Sequence, residues 1–377
     1  MHALLNNMLS NRQFYVFLED NVSRQRTLND GLTQGAVLSC LLFVLYASDA
    51  PETTSRKFIF ADDFAMATQS TTFMGLEFAL TKDLDIMRKH FVKWRLKPNP
   101  QKTKVSVFHL RNSHARRELR VLFEGKALKH DFFPKYLGAT MDRALTFKTN
   151  SEKLAAKLAT RINLLRKLAG TTWGADANVL RTTALSLVYS VAEYCAPIWL
   201  KCAHTDRIDV QLNEALRIIS GTVASTPVEW LSVLANIEPP SIRRIKAFVK
   251  EWEKQQNSEH MPIHIDLNNL PGQRLTSRNP SWLTYSEINL PFRPGEEWKA
   301  MWDDIKVKQC ELIIDPNEKP LGFNLPRKAW IRLNRIRTGH GNCGHFLFLW
   351  NQTETTACDC GAPDHDTYRQ RMPDQKV

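Results

Sequence analysis

The sequence predicts a mixed α/β (α+β) N-terminal part, a helical middle, and a small Cys/His-containing tail. Three observations lead there. Strand-like alternation and helix-like spacing succeed one another through residues 1–145. From Ser151 the strand signal fades and apolar residues recur three and four apart. From about residue 321 the chain turns basic and then gathers Cys and His. Strands interleaved with helices argue for sheet structure with helices packed on it.

The 377 residues suffice for two or three domains with a sizeable core. A hydrophobic content of 43% with 24% charged residues is that of a globular chain. The formal net charge of +12 favours an acidic partner, nucleic acid first and a membrane surface second. Seven scattered cysteines, an odd number, fit a reducing compartment and not a disulfide framework. No apolar run reaches the roughly 18 residues of a membrane span, so no transmembrane helix and an intracellular location are expected. The first twenty residues lack the basic and apolar regions of a signal peptide and read as the end of a helix running into a strand.

In chain order, Phe14, Val16 and Leu18 alternate, which predicts a strand over 13–19. "NDGLTQG" supplies turn residues, and Ala36 to Tyr46, apolar nearly all round, predicts a buried helix. "KFIFADDFAMA" reads as two short strands, 57–61 and 64–68, joined at Asp62 and Asp63. Leu76, Leu80, Leu84, Met87, Phe91 and Trp94 predict an amphipathic helix ending before Pro98. "KTKVSVFHL" predicts a further strand, and 119–140 short strands around Gly125 and Gly138. Leu154, Leu158, Ile162, Leu165 and Leu168 form a helical stripe ending at Gly170, and 176–222 and 226–256 also read as helices. Pro, Asn and Ser mark 257–295 as a linker. No internal repeat is visible. The expected organisation is 1–145, 146–256, a linker with a short helix over 257–320, and a tail over 321–377.

Adjacent Asp62 and Asp63 fit a solvated turn. They also fit a metal site, because carboxylates projecting from a tight strand turn repel each other and Mg²⁺ neutralises them. Lys153, Lys157 and Arg161 stand four apart on one helix face, near Arg166 and Lys167. That pattern suits an ordinary solvated face or contact with nucleic-acid phosphates. In the tail, His340, Cys343, His345, Cys358, Cys360 and His365 lie close in sequence. Of these, Cys343, Cys358, Cys360 and His365 are candidates for a Zn²⁺ site, with unligated thiols as the alternative, since C-x-C is tighter than the usual ligand spacing.

Four blocks in this order, "GLTQGAVLSCLLF", "FADD", "FVKWRLKPNPQKTKVSVFHL" and "PKYLGATMDRALTFK", resemble the reverse transcriptase (RNA-directed DNA polymerase) of jockey-type non-LTR retrotransposons. "LSNRQF", "YSVAEYCAPIW" and "IRLNRIRTGHGNCGHFLFLW" extend the resemblance. It implies a polymerase palm, incomplete at its N-terminus, then a thumb-like helical domain and the Cys/His tail. It implies two-metal (Mg²⁺) transfer of dNTPs onto a DNA primer along an RNA template, in the nucleus, with no membrane and no protein partner legible. Asp62 and Asp63 would be two of three metal-binding carboxylates. Gln34 and Gly35 would line the nucleotide and template side, and Lys102 would sit near the triphosphate, with Lys97 and Lys104 as competitors. Leu137 and Gly138 would lie in the loop gripping the primer end.

The family's Pro, Ser and second Pro are Thr33, Ala36 and Cys40 here, and losing both prolines loosens the turn they would hold. The family's first catalytic aspartate belongs to a block that would lie before Met1; Asp20 and Asp30 do not stand in such a setting. The chain is therefore expected to be a truncated piece of a reverse transcriptase. The alternative is a catalytically inactive nucleic-acid-binding remnant.

Overall fold

Apolar residues alternating after Asn11 fold as nested hairpins, the first feature of a computed structural model that describes residues 2–29, 31–33, 35–170, 172–261, 263–268, 270, 280–340, 348, 351, 352 and 354. The chain divides into two units, Met1–Pro134 and Lys135–Val377.

In the first unit, helix α1 (His2–Leu9) leads into β1 (Arg12–Phe14), β2 (Phe17–Leu18), β3 (Asn21–Val22) and β4 (Arg26–Leu28). β1 pairs antiparallel with β4 and β2 with β3. The single strand expected over 13–19 is thus two. At the break the Ser23 hydroxyl accepts from the Val16 amide at 2.8 Å, where a strand partner would otherwise stand.

Helix α2 (Val37–Ala47) forms where its apolar run predicts, but none of its residues is buried. Val37 is 93% exposed and Leu41, Val44 and Leu45 are exposed too. A helix apolar nearly all round predicts cover on every side; here one contact is made by Tyr46, whose hydroxyl donates to the Trp94 carbonyl and whose ring packs edge-on against Trp94.

β5 (Arg56–Phe60) and β6 (Asp63–Ala67) form an antiparallel hairpin, with Phe60 opposite Asp63. α3 (Phe73–Lys93) follows, its Thr72 cap accepting from the Gly75 amide. Its apolar stripe closes the core of the unit: Phe73, Leu76, Leu80, Leu84 and Phe91 pack on buried Val105, Leu119, Val121, Phe123 and Leu128. Those residues come from the region of β7 (Lys104–Val105), β8 (Leu122–Phe123), β9 (Lys126–Ala127) and β10 (Lys129–His130). β8 pairs with β9, and β7 runs parallel to β10. The strand expected over "KTKVSVFHL" is only two residues long, because β10 offers only two residues to pair with. Every sheet among the described residues is two-stranded.

The second unit opens with a hairpin of β11 (Lys135–Tyr136) and β12 (Ala139–Thr140). Helices then follow: α4 (Lys148–Arg166), α5 (Ala177–Ala184), a π-helical stretch Leu185–Tyr189, α6 (Ser190–Ala192), α7 (Ala196–Trp199), α8 (Asp206–Ser220), α9 (Val228–Ala235), α10 (Pro240–Gln256), α11 (Ile263–Leu267), α12 (Ser281–Ser286), α13 (Pro294–Asp303) and α14 (Arg327–Arg337). On α4, Leu158, Ile162 and Leu165 are buried as their spacing predicts, whereas Leu168, beyond the helix, is 41% exposed. They join Ile208, Leu212, Leu216 and Ile219 of α8 and Trp330 of α14 in the main core.

The end of α8 shows why a basic segment can lie inside a core. Its last carbonyls have no intrahelical donors. Arg327 donates to Ile219 at 2.8 Å and Ile218 at 2.6 Å, Trp330 to Ile219 at 3.0 Å, and Asn334 to Ser220 at 2.9 Å. Burial, then neighbouring Arg335, draws the Arg327 guanidinium down to about 10, so it is still charged at neutral pH. Gly221 stops the helix at φ +70°, and a Cβ there would meet Ile331 of α14 at 2.1 Å. No described helix is long and apolar enough to cross a membrane.

Candidate metal-binding hairpin and nucleic-acid surface

The β5–β6 hairpin turns through Ala61 and Asp62, with Asp63 opening β6. Five paired residues on each strand carry the turn. Ala61 has φ +50°, a left-handed conformation that costs a non-glycine residue about 1–3 kcal/mol. Asp62 and Asp63 are both exposed. Behind them Phe64 meets Phe91 of α3 edge-on at 5.5 Å.

The base of the hairpin is fixed by a residue the sequence reading did not single out. Asp83 of α3 is fully buried. It accepts from the Ser55 amide at 2.6 Å, the Ser55 hydroxyl at 2.5 Å and the Thr54 amide at 3.1 Å. Burial pushes its carboxyl up, and the Ser55 and Thr54 hydrogen bonds outweigh that, so the net shift is downward.

Two adjacent exposed carboxylates, without an ion-pair partner among the described residues, suit Mg²⁺, an ion that keeps several waters and takes one or two protein carboxylates. Among the described residues no group of three His, Cys, Asp or Glu is gathered to hold a metal.

Gly35 lies in an exposed turn at φ +83°, open enough that a Cβ would touch nothing. The Ser39 hydroxyl closes that turn on the Thr33 carbonyl at 2.6 Å. Gln34 lies outside the described residues, as do Cys343, Cys358, Cys360 and His365. Lys102 is exposed on a turn organised by Asn99, whose side chain accepts from the Gln101 and Lys102 amides at 3.0 and 3.2 Å. Of its competitors, Lys104 is paired with Asp131 at 2.7 Å, and Lys97 is exposed.

Leu137 and Gly138 belong to the second unit, at the tip of the β11–β12 hairpin. In the same unit Lys153 and Lys157 are exposed and Arg161 half-buried on α4, and among the described residues none of them has an ion-pair partner. Two charges near them are paired: Arg166 is 2.8 Å from Glu214, and Glu152 is paired with Arg207 at 2.7 Å.

Residues 2–141 match the family described as reverse transcriptase (RNA-dependent DNA polymerase). The probable RNA-directed DNA polymerase from transposon BS of Drosophila melanogaster is 29% identical over 238 residues, which cover 58% of this chain and 25% of that protein. The retrovirus-related Pol polyprotein from type-1 retrotransposable element R1 4 of Nasonia vitripennis is 26% identical, covering 67% of this chain and 63% of its own length. The RNA-directed DNA polymerase from mobile element jockey of Drosophila melanogaster is 26% identical, covering 59% and 25%. The chain therefore spans a quarter to under two thirds of these relatives. No solved structure matches it. Helices mixed with small sheets are compatible with a polymerase fold; residues 2–141 match the reverse transcriptase family, and the chain is similar to proteins named as RNA-directed DNA polymerases of jockey and related mobile elements.

Proposed function

We propose that the chain is a segment of an RNA-directed DNA polymerase that binds an RNA template paired with a DNA primer. The observation carrying this reading is the pair of exposed carboxylates at the tip of β5–β6, inside the stretch that matches the family. Asp62 and Asp63 would hold divalent metal; when bound, it activates the primer hydroxyl and stabilises the leaving oxygen of the dNTP. Lys102, in a preformed turn, offers a cation for the triphosphate, while Gln34 and Gly35 would flank the nucleotide. Leu137 and Gly138 would meet the primer end, and the helices of the second unit would act as a thumb along the duplex. Lys153, Lys157 and Arg161 are the charges available for its phosphates. A nuclear location, and Zn²⁺ on Cys343, Cys358, Cys360 and His365, are further parts of the same proposal.

A second reading, nucleic-acid binding without synthesis, is favoured by the donor set. Two carboxylates on one turn do not by themselves position two ions about 3.5–4 Å apart, as an in-line displacement needs. One experiment separates the two: the 377-residue chain is given a primed RNA template, Mg²⁺ and dNTPs, and both binding and extension are followed. Binding is expected to be salt-sensitive, and reversing Lys153, Lys157 and Arg161 to Glu is expected to lower the salt slope by about 2–3. No extension by the chain alone is expected. Extension that Asp62→Ala abolishes would establish a complete site and remove the second reading. Absence of duplex affinity at low salt would remove both.

A further inference from the structure

The β11–β12 hairpin turns on two residues, Leu137 at φ +44° and Gly138 at φ +89°. Two positive φ values give the tight turn that suits a twisted hairpin, and Asn or Gly would occupy both places at least cost. A leucine in the first place is held there against its preference. Two contacts from elsewhere in the same unit hold it. At the base, Ala139 and Thr140 are buried, and the Thr140 amide donates to the Asn150 side chain of α4 at 3.0 Å. At the tip, the Tyr194 hydroxyl donates to the Leu137 carbonyl at 2.8 Å. Its ring lies so close over Gly138 that a Cβ there would come within 2.8 Å of Tyr194 Cε1.

Tyr194 itself is 56% exposed, so burying the ring is not what holds it on the turn. It follows the π-helical stretch Leu185–Tyr189 and the short α6 and precedes Cys195, a non-glycine residue at φ +56°. That left-handed residue turns the chain sharply at the foot of the tyrosine. An exposed side chain, a left-handed leucine and a glycine with no room for a methyl meet at one solvent-facing point. Strained backbone of this kind clusters at active sites, ligand clamps and switch regions.

We propose that Tyr194 is a positioning residue: its hydroxyl locks the Leu137–Gly138 turn in the form that receives the 3′ end of a nucleic-acid primer. This rests on the reading of the turn given under Proposed function. The shape is set through the Leu137 carbonyl, so the phenol oxygen matters and the ring alone does not suffice. Tyr194→Phe keeps the ring over Gly138 and removes only the donor.

The test measures affinity by fluorescence anisotropy for two RNA–DNA duplexes of equal length, one with a recessed DNA 3′ end and one blunt, in wild type and Tyr194→Phe. Wild type is expected to favour the recessed end. Tyr194→Phe is expected to lose about fivefold of that preference, the worth of one hydrogen bond, with blunt-duplex affinity unchanged. A merely structural tyrosine would move the affinity for both duplexes together, and that result overturns the proposal. Preference retained in full by Tyr194→Phe also overturns it while leaving the reading of the turn intact. No preference in wild type overturns both. Gly138→Ala, which drives the ring away, is expected to reproduce the loss; full preference in that variant counts against the proposal.

Discussion

Replacing Trp330 with alanine is expected to lower the stability of the second unit by about 3–5 kcal/mol, the range for removing a large aromatic from a tight core. Trp330 is fully buried in the cluster that contains Leu158, Ile162, Leu216 and Ile219. Its ring packs edge-on against Phe323 at 5.2 Å, and the Arg337 guanidinium lies over it at 5.8 Å. Its indole N–H also satisfies the Ile219 carbonyl, so truncation leaves a cavity and weakens the capping of α8 together. Urea unfolding, followed by hydrogen exchange in the α4, α8 and α14 segments, measures this. Arg332→Ala, exposed on the same helix, serves as control and should change stability by no more than about 0.5 kcal/mol. A Trp330→Ala loss below about 1 kcal/mol would mean that α14 is not an integral part of this core.

The second large effect is in the first unit. Asp83→Ala is expected to cost about 2–4 kcal/mol, because three donors converge on one buried carboxylate and two of them are backbone amides just ahead of β5. The effect carries a pH signature. The folded carboxyl titrates below its unfolded value, so its contribution is fully present above the unfolded pKa of about 3.9 and is lost as pH falls through the folded one. Wild type should therefore lose stability on the acid side more steeply than Asp83→Asn. Hydrogen exchange over residues 54–67, measured at neutral and acid pH in both proteins, tests this. Equal slopes in the two proteins would show that the carboxylate form of Asp83 is not what anchors the hairpin. Loosening of the hairpin would also displace Asp62 and Asp63 without touching either.

The features that were legible in the sequence are local. "KFIFADDFAMA" declares its hairpin because side chains alternate over strands five residues long and the polar pair interrupts them at one place. The α3 and α4 stripes are equally plain, since burial of one helix face imposes a repeat on neighbouring residues. The exposure of α2 is not a local property. An apolar run forms a helix by its own preference, but what lies against it depends on residues distant in the chain.

Net charge behaves in the same way. The sequence determined a basic chain, a carboxylate pair on a turn and the block order that marks a reverse-transcriptase relative. Only the tertiary structure decided which charges remain available. Arg327 is directed at carbonyls more than a hundred residues away, and Arg244 at Asp209, while Lys153 and Lys157 stay exposed. The same division separates Asp62 and Asp63, recognisable from adjacency, from Asp83 and Tyr194, whose partners lie 28 and 57 positions off. Periodicity and motif spacing act between neighbours along the chain. A buried hydrogen bond between remote residues leaves no pattern there, because any acceptor that the fold brings within about 3 Å of the donor will do.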